Sequence, residues 1–139
     1  MSTRSMIAIQ DADGVCYAVY CHFDGYVSHM GDMLVCNFNS MEKAAELVNE
    51  GELRSIMPSE DGVKLTHFEE DFEKREIEYY NNIEEMLNLF KNSDREYIYL
   101  WDDEVEAWKY RSIHWEYEDK IVNEWKFVVE ALFEDKNSD

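Results

Sequence analysis

The sequence predicts a single α+β domain in which a small antiparallel β-sheet of two hairpins is covered by helices on one face. Three observations predict this fold: a hairpin pattern near the N-terminus, a second strand pair near residue 100, and helical apolar spacings between and after them. The 139 residues fit one domain, and 45% hydrophobic residues supply a core. We expect the domain to span residues 1–133, followed by a polar tail at 134–139.

The first hairpin is predicted over residues 4–23. Arg4 to Gln10 is a short β-prone run, and Asp-Ala-Asp-Gly at 11–14 is a turn sequence. Val15 to Phe23 then alternates along the chain, as a strand does. Because both of its faces are fairly apolar, we expect this strand to be central in the sheet.

Two helices are predicted next. Apolar residues between Met30 and Phe38 recur at a helical spacing, which predicts a helix over 28–38. Ser40 is a good N-cap for a second helix over 41–49.

The middle of the chain is less regular. Gly51 is expected to end the second helix, residues 52–57 to form a connector, and residues 58–62 to form a loop. Residues 66–69 have the capping-box form, which predicts a short acidic helix. Residues 77–79 fit a strand or a helix equally well.

The last third of the chain returns to strands and ends in a helix. Asn82 and Glu85 begin a helix with an apolar stripe up to Phe90. Residues 97–101 predict a strand, and the acids at 102–104 turn it into a partner at 105–110. The apolar positions between residues 121 and 133 fit one closing amphipathic helix: Ile121, Val122, Trp125, Val128, Val129, Leu132 and Phe133.

The net charge of −19 is the most unusual property of the composition. It exceeds the magnitude of roughly 2 to 8 that keeps a small domain soluble, and it destabilises the compact state by self-repulsion. Nucleic acids and anionic membranes would be repelled. The natural partner is a basic protein surface, especially one that normally binds nucleic acid.

The expected location is the cytoplasm of a host cell. Three cysteines without framework spacing favour reduced thiols. The sequence has neither a secretion signal at its start nor an apolar run of about 18 residues.

The acids are concentrated after residue 40, where the chain contains 28 acidic and 12 basic residues. We interpret stretches 69–78 and 102–119 as two side-by-side rows that imitate the phosphates of DNA, with exposed aromatic residues as anchors. The alternative is that the acids are solvated helix faces and turns while the aromatics form the core. The predicted partner-binding residues are Glu69, Glu70, Asp71, Glu73, Glu76, Glu78, Asp102, Asp103, Glu104, Glu116 and Glu118.

A small-molecule pocket is the second hypothesis, and it would make the protein a nucleotide-like binder or an enzyme. His22, Asp24, Tyr26 and Ser28 lie where a strand leads into a helix. The glycines at 25 and 31 are one residue too far apart for a phosphate loop, and Asp32 would repel phosphate.

No metal, cofactor or catalytic residue is predicted. Cys16 and Cys21 are five residues apart on one strand, and Cys21 and His22 are neighbours, so both pairs point to opposite faces. Such pairs form neither a zinc site nor a Cys–His nucleophile.

The sequence also resembles a group of small, mostly uncharacterised bacteriophage and prophage proteins. The resemblance covers most of the chain and is most specific in STRSMIAI at 2–9 and YCHFDGY at 20–26; EYIYLW at 96–101 is a further match. It implies a phage origin and a cytosolic setting without assigned catalytic residues. Small acidic phage proteins often antagonise host defence, as anti-CRISPR and anti-restriction proteins do. By this analogy the first hypothesis is a non-enzymatic inhibitor, and a third alternative is a structural phage component such as a homodimer.

Overall fold

The first hairpin is present as predicted in the structure, a computed structural model that describes residues 2–137 and the side chains up to residue 134. Strands β1 (Ser5–Gln10) and β2 (Cys16–Cys21) pair antiparallel. The Asp11 carboxylate accepts hydrogen bonds from the backbone N–H groups of residues 13 and 15, which closes the turn. β2 ends two residues earlier than predicted, because residues 22 and 23 bond the backbone of residues 53 and 54 instead.

The two helices that follow are also confirmed. A π-helical turn (Val27–Gly31) leads into α1 (Asp32–Asn37). Helix α2 (Met41–Asn49) begins at Ser40, whose hydroxyl accepts a hydrogen bond from the N–H of Lys43.

The connector and loop predicted for residues 52–62 are wrong, since β3 (Ser55–Ser59) and β4 (Gly62–Thr66) form a separate two-stranded hairpin there. Pro58 fits within β3 because a two-stranded sheet has only edge strands, where proline is tolerated. The acidic helix is also wrong. Thr66 pairs with Ser55 in this hairpin rather than capping a helix, and only a short 3-10 turn forms at Phe72–Lys74.

The ambiguous segment at 77–79 is a strand, and the helix after it is confirmed. Strand β5 (Glu78–Tyr80) pairs antiparallel with β2. Helix α3 (Ile83–Lys91) begins at Asn82, whose side chain accepts a hydrogen bond from the N–H of Glu85.

The C-terminal region differs from the prediction. Strands β6 (Tyr97–Asp102) and β7 (Ala107–Glu116) form the expected hairpin. Residues 121–122 and 126–127 are in strands rather than helix, and residues 123–125 connect them: β8 (Asp119–Val122) and β9 (Lys126–Phe127) both pair with β7. The closing helix α4 begins only at Val128 and runs over Val128–Asn137, so it includes 134–137 of the predicted tail. Residues 138 and 139 of that tail lie outside the described residues.

The main sheet is mixed rather than purely antiparallel. Its strand order is β5-β2-β1-β6-β7-β8, with β9 paired to β7 beside that path. Strands β1 and β6 are parallel, with Ser5 beside Tyr97, and they join the two hairpins into one sheet.

Helices cover both faces of this sheet, which corrects the one-face prediction. Helices α1, α2 and α4 pack on the face that contains Ile7 and Tyr99, whereas α3 packs on the face that contains Met6 and Ile98. The reason is visible in β1, where consecutive residues are apolar, so both sides of the strand must be buried. No helix within residues 2–137 combines the length and apolar character needed to cross a membrane.

Ser5 provides a stability test of this core. Its side chain is fully buried, and its hydroxyl has no hydrogen-bond partner among the described residues. A buried polar group without a partner costs roughly 1–3 kcal/mol. We therefore expect Ser5→Ala to raise the free energy of unfolding by about 1 kcal/mol, seen as a higher urea midpoint. A lower midpoint would show that the hydroxyl is satisfied, for example by a buried water.

Candidate protein-binding site at the β7–β8 hairpin

The β7–β8 hairpin presents two large aromatic side chains to solvent. Residues 115–119 form its tip, called the β7–β8 tip below. Glu116 pairs with Asp119, so Tyr117 and Glu118 are the two turn residues. The side chain of Tyr117 is 97% exposed and that of Trp115 is 68% exposed. Exposed tryptophan and tyrosine are the residue types that most often dominate protein interfaces.

The backbone at Tyr117 is unfavourable for tyrosine. Its φ is +58°, at the turn position where two-residue hairpins ordinarily place asparagine or glycine. A bulky residue in this region costs roughly 1–3 kcal/mol. Because the ring is almost fully exposed, packing within the chain does not offset this cost. The fold gains nothing from a tyrosine here, which points to a use outside the fold.

Three carboxylates lie next to the two aromatic residues along the chain. Glu116, Glu118 and Asp119 are all exposed at the β7–β8 tip. The neighbouring cation, Lys120, donates to the backbone carbonyl of Ser93 rather than to these acids. Aromatic faces attract Lys and Arg through cation–π interactions, and carboxylates accept charge-assisted hydrogen bonds from the same groups. The β7–β8 tip is therefore suited to a basic protein surface.

Contacts at the base hold this hairpin in place. Asn123 bonds Ser112 through its backbone N–H and its side-chain amide, and its carbonyl accepts a hydrogen bond from Nε of Arg111. The ring of Trp125 lies under Lys109 and Arg111, at 5.0 and 5.5 Å from the two cationic groups. The base is fixed while the tip projects, so binding there requires little reordering of the protein.

The predicted acidic row 102–119 is not continuous, which corrects the sequence prediction. Asp102, Asp103 and Glu104 follow β6 at one end of β7, and Glu116 and Glu118 lie at the other end. The ten residues of β7 separate these groups by roughly 30 Å.

Two of the predicted acids are also engaged by neighbouring side chains. Asp102 is 3.2 Å from Nζ of Lys109, and Asp103 accepts a hydrogen bond from the indole N–H of Trp101. The ammonium of Lys109 therefore offsets one negative charge of the β6–β7 turn, whereas the indole orients the Asp103 carboxylate without changing its charge.

The other predicted row, 69–78, lies before and along β5, the edge strand farthest from β8. Glu78 is half-buried and pairs with Arg95 at 2.8 Å, so it is not a free surface charge. The side chains of Glu69 and Asp71 accept hydrogen bonds from nearby backbone N–H groups. The remaining members of this row are exposed: Glu70, Glu73 and Glu76.

The structure does not bring the predicted small-molecule residues into one pocket. Nδ1 of His22 lies 2.6 Å from the hydroxyl of Tyr20, and its ring packs edge-on against Phe23 and Phe68. Asp24 lines a cavity of about 350 Å³ together with Phe23, Arg54, Ser55, Met57 and Thr66. His22, Tyr26 and Ser28 do not line that cavity, and Tyr26 and Ser28 lie exposed at the π-helical turn.

Residues of the YCHFDGY stretch instead contribute to packing within the fold. Gly25 is buried, and a Cβ there would lie 2.7 Å from the Ser5 hydroxyl. Its carbonyl accepts a hydrogen bond of 2.6 Å from the buried hydroxyl of Tyr99. Within the described residues, no group of three or more His, Cys, Asp or Glu side chains is placed to hold a metal ion.

The sequence analysis expected exposed aromatic anchors among the acids but did not single out Trp115 and Tyr117. Nothing in the local sequence marks a turn at 117–118, because glycine, asparagine and proline are all missing there. The repeat of aromatic and acidic residues over 114–119 was the available indication.

Comparison with known proteins adds no assignment to this geometry. The chain shows no significant match to protein-family models, to curated proteins or to solved structures. The functional interpretation therefore depends on the site itself.

Proposed function

We propose that this protein is a non-enzymatic, phage-encoded inhibitor that binds a basic, nucleic-acid-handling defence protein of the host cytoplasm, as anti-CRISPR and anti-restriction proteins do. The β7–β8 tip is the centre of the contact. The observation that carries the proposal is the pair Trp115 and Tyr117, exposed among three carboxylates at a turn that disfavours tyrosine. The phage origin follows from the sequence resemblance alone.

The overall charge supports the choice of partner. A net charge of −19 steers the protein toward cationic surfaces and accelerates association at low salt. The acidic turns at the two ends of β7 are roughly 30 Å apart. That separation is close to the ~34 Å repeat of duplex DNA, so the pair resembles two phosphate clusters one helical turn apart.

The test measures capture of a partner by the immobilised full-length protein. We expect it to retain a host protein that itself binds heparin, and we expect Trp115→Ala/Tyr117→Ala to lower the affinity for that protein by about 30-fold, since two anchors contribute roughly 1 kcal/mol each. Phe72→Ala is the matched control, because it removes a ring that is 53% exposed on another surface. Unchanged affinity for the double variant would contradict the proposal.

Three further variants separate binding from folding and from general charge. Tyr117→Gly relieves the positive φ, so it should raise the urea midpoint while weakening capture. Reversal of Glu116, Glu118 and Asp119 to Lys should slow association more than reversal of Glu70, Asp71 and Glu73, although both change the net charge equally. Equal slowing by the two triple variants would argue for diffuse charge attraction rather than a site at the β7–β8 tip.

A further inference from the structure

A second surface lies at the opposite edge of the sheet from β8. A groove of about 550 Å³ runs between α2 and β5, called the α2–β5 groove below. Its lining is mostly apolar, and sequence analysis did not identify it because the residues come from four separate segments. The lining residues are Ile9, Tyr17, Glu42, Ala45, Glu46, Val48, Asn49, Ile77 and Tyr79.

The aromatic wall of this groove is held in place. The rings of Tyr17 and Tyr79 meet edge-on with centroids 5.2 Å apart, and the hydroxyl of Tyr17 donates to the Asp11 carboxylate at 3.0 Å. Tyr79 is nevertheless 65% exposed. A fixed ring that stays exposed beside an apolar floor is a preformed place for another apolar side chain.

The charge around the groove defines the occupant. Glu42 and Glu46 are exposed, both lie on α2, and both line the groove, whereas no basic residue of the described part of the chain lines it. An occupant must therefore combine an apolar side chain with flanking Lys or Arg. An acidic or purely apolar segment would leave these carboxylates unpaired.

The neighbouring strand defines the conformation of the occupant. β5 is the last strand in the sheet order and pairs only with β2 among the described strands. Its outer edge therefore presents backbone N–H and C=O groups next to the groove. An extended segment can pair with such an edge while its alternate side chains enter the groove.

We propose that the α2–β5 groove binds an extended basic segment of another protein, with one apolar side chain against Tyr17 and Tyr79 and with Lys or Arg beside Glu42 and Glu46. This site is separate from the β7–β8 tip and does not depend on it. The protein thus has two docking surfaces at opposite edges of one sheet.

The experiment titrates three matched peptides into the ¹⁵N-labelled full-length protein and follows amide shifts. The test peptide is acetyl-Lys-Thr-Leu-Thr-Lys-amide, in which Lys, Leu and Lys share one face of an extended chain. One control replaces Leu by Ser, and the other replaces both Lys by Glu. We expect saturable shifts at residues 45 and 79 with the test peptide alone.

Variants locate the site. Ala45→Arg fills the groove and adds a like charge, so we expect at least a tenfold loss of affinity. Tyr79→Ala should give a similar loss of affinity. It provides the same test of the groove if Ala45→Arg fails to fold. Glu42→Gln/Glu46→Gln should weaken binding several-fold, whereas the charge-matched Glu84→Gln/Glu130→Gln and the Trp115→Ala/Tyr117→Ala variant should not.

Three results would overturn the inference. The first is equal binding of the Leu and Ser peptides, which indicates non-specific attraction to an acidic protein. The second is the lack of saturable shifts at groove residues. The third is a wild-type dimer in light scattering that Ala45→Arg converts to a monomer, which assigns the groove to a second copy of this chain.

Discussion

Replacement of Trp108 by alanine is expected to lower the free energy of unfolding by about 3–5 kcal/mol. The side chain is fully buried, its ring meets that of Trp101 edge-on at 5.6 Å, and its indole N–H donates to the carbonyl of Phe38 at 2.9 Å. The change leaves a large cavity and an unpaired carbonyl between β7 and the end of α1. Small domains are stable by only about 5–15 kcal/mol in total, so this variant should lose a large part of its stability.

Urea unfolding followed by circular dichroism measures this effect. Trp108→Phe keeps most of the ring but loses the N–H donor, so we expect an intermediate loss. Trp115→Ala is the matched control, since an exposed ring should change stability by no more than about 0.5 kcal/mol. Similar midpoints for the two alanine variants would contradict the assignment of Trp108 to the core.

Loss of stability at alkaline pH is the second large effect that we expect. Burial raises the pKa of the Cys21 thiol from 9.0 to about 12, and burial raises the pKa of Tyr99 well above 10.0. Below pH 9 both groups are neutral in the folded and the unfolded chain. Above it the unfolded chain loses these protons first, so stability is present at low pH and falls as the pH rises from about 9 to 12. The Cys21 thiol alone accounts for up to about 4 kcal/mol over that window.

Urea midpoints measured between pH 7 and pH 11 test this expectation. Cys21→Ala should reduce the slope above pH 9, whereas Cys36→Ala should not, because Cys36 is exposed. In the folded protein at neutral pH, a thiol reagent should modify Cys36 quickly and the buried Cys16 and Cys21 only on unfolding. A stability curve that stays flat up to pH 11 would contradict the burial of these groups.

Local patterns predicted the elements whose residues act within one turn or one strand. The N-caps Ser40 and Asn82 are confirmed because a capping hydrogen bond depends on residues only three positions apart. The first hairpin is confirmed because its turn is closed by Asp11 within the same segment.

The failures occur where distant partners decide the structure. Ile121 and Val122 fit the apolar spacing of the closing helix, but they pair with His114 and Ile113 of β7. Both are β-branched and favour a strand once a partner strand is available. The parallel pairing of β1 with β6 has no local signature either, so the mixed sheet and the helix on its second face were not predicted.

The candidate site shows the same limit. Net charge and aromatic content are properties of the sequence alone, and they indicated a basic partner. The separation of the acidic turns depends on the length of β7, which runs six residues beyond the predicted end at Tyr110. The positive φ of Tyr117 depends on the register between β7 and β8, and the α2–β5 groove depends on the position of β5 beside β2.

The parallel pair at the centre of the sheet also has a consequence for synthesis of the chain. Ser5 meets Tyr97, so the middle of the sheet closes only after most of the polypeptide has left the ribosome. Until then β1 keeps an open apolar edge, and closure across such a long loop is slow compared with the formation of local hairpins. Nascent chains of this protein should therefore be most prone to aggregation, and most dependent on chaperones, before translation reaches β6.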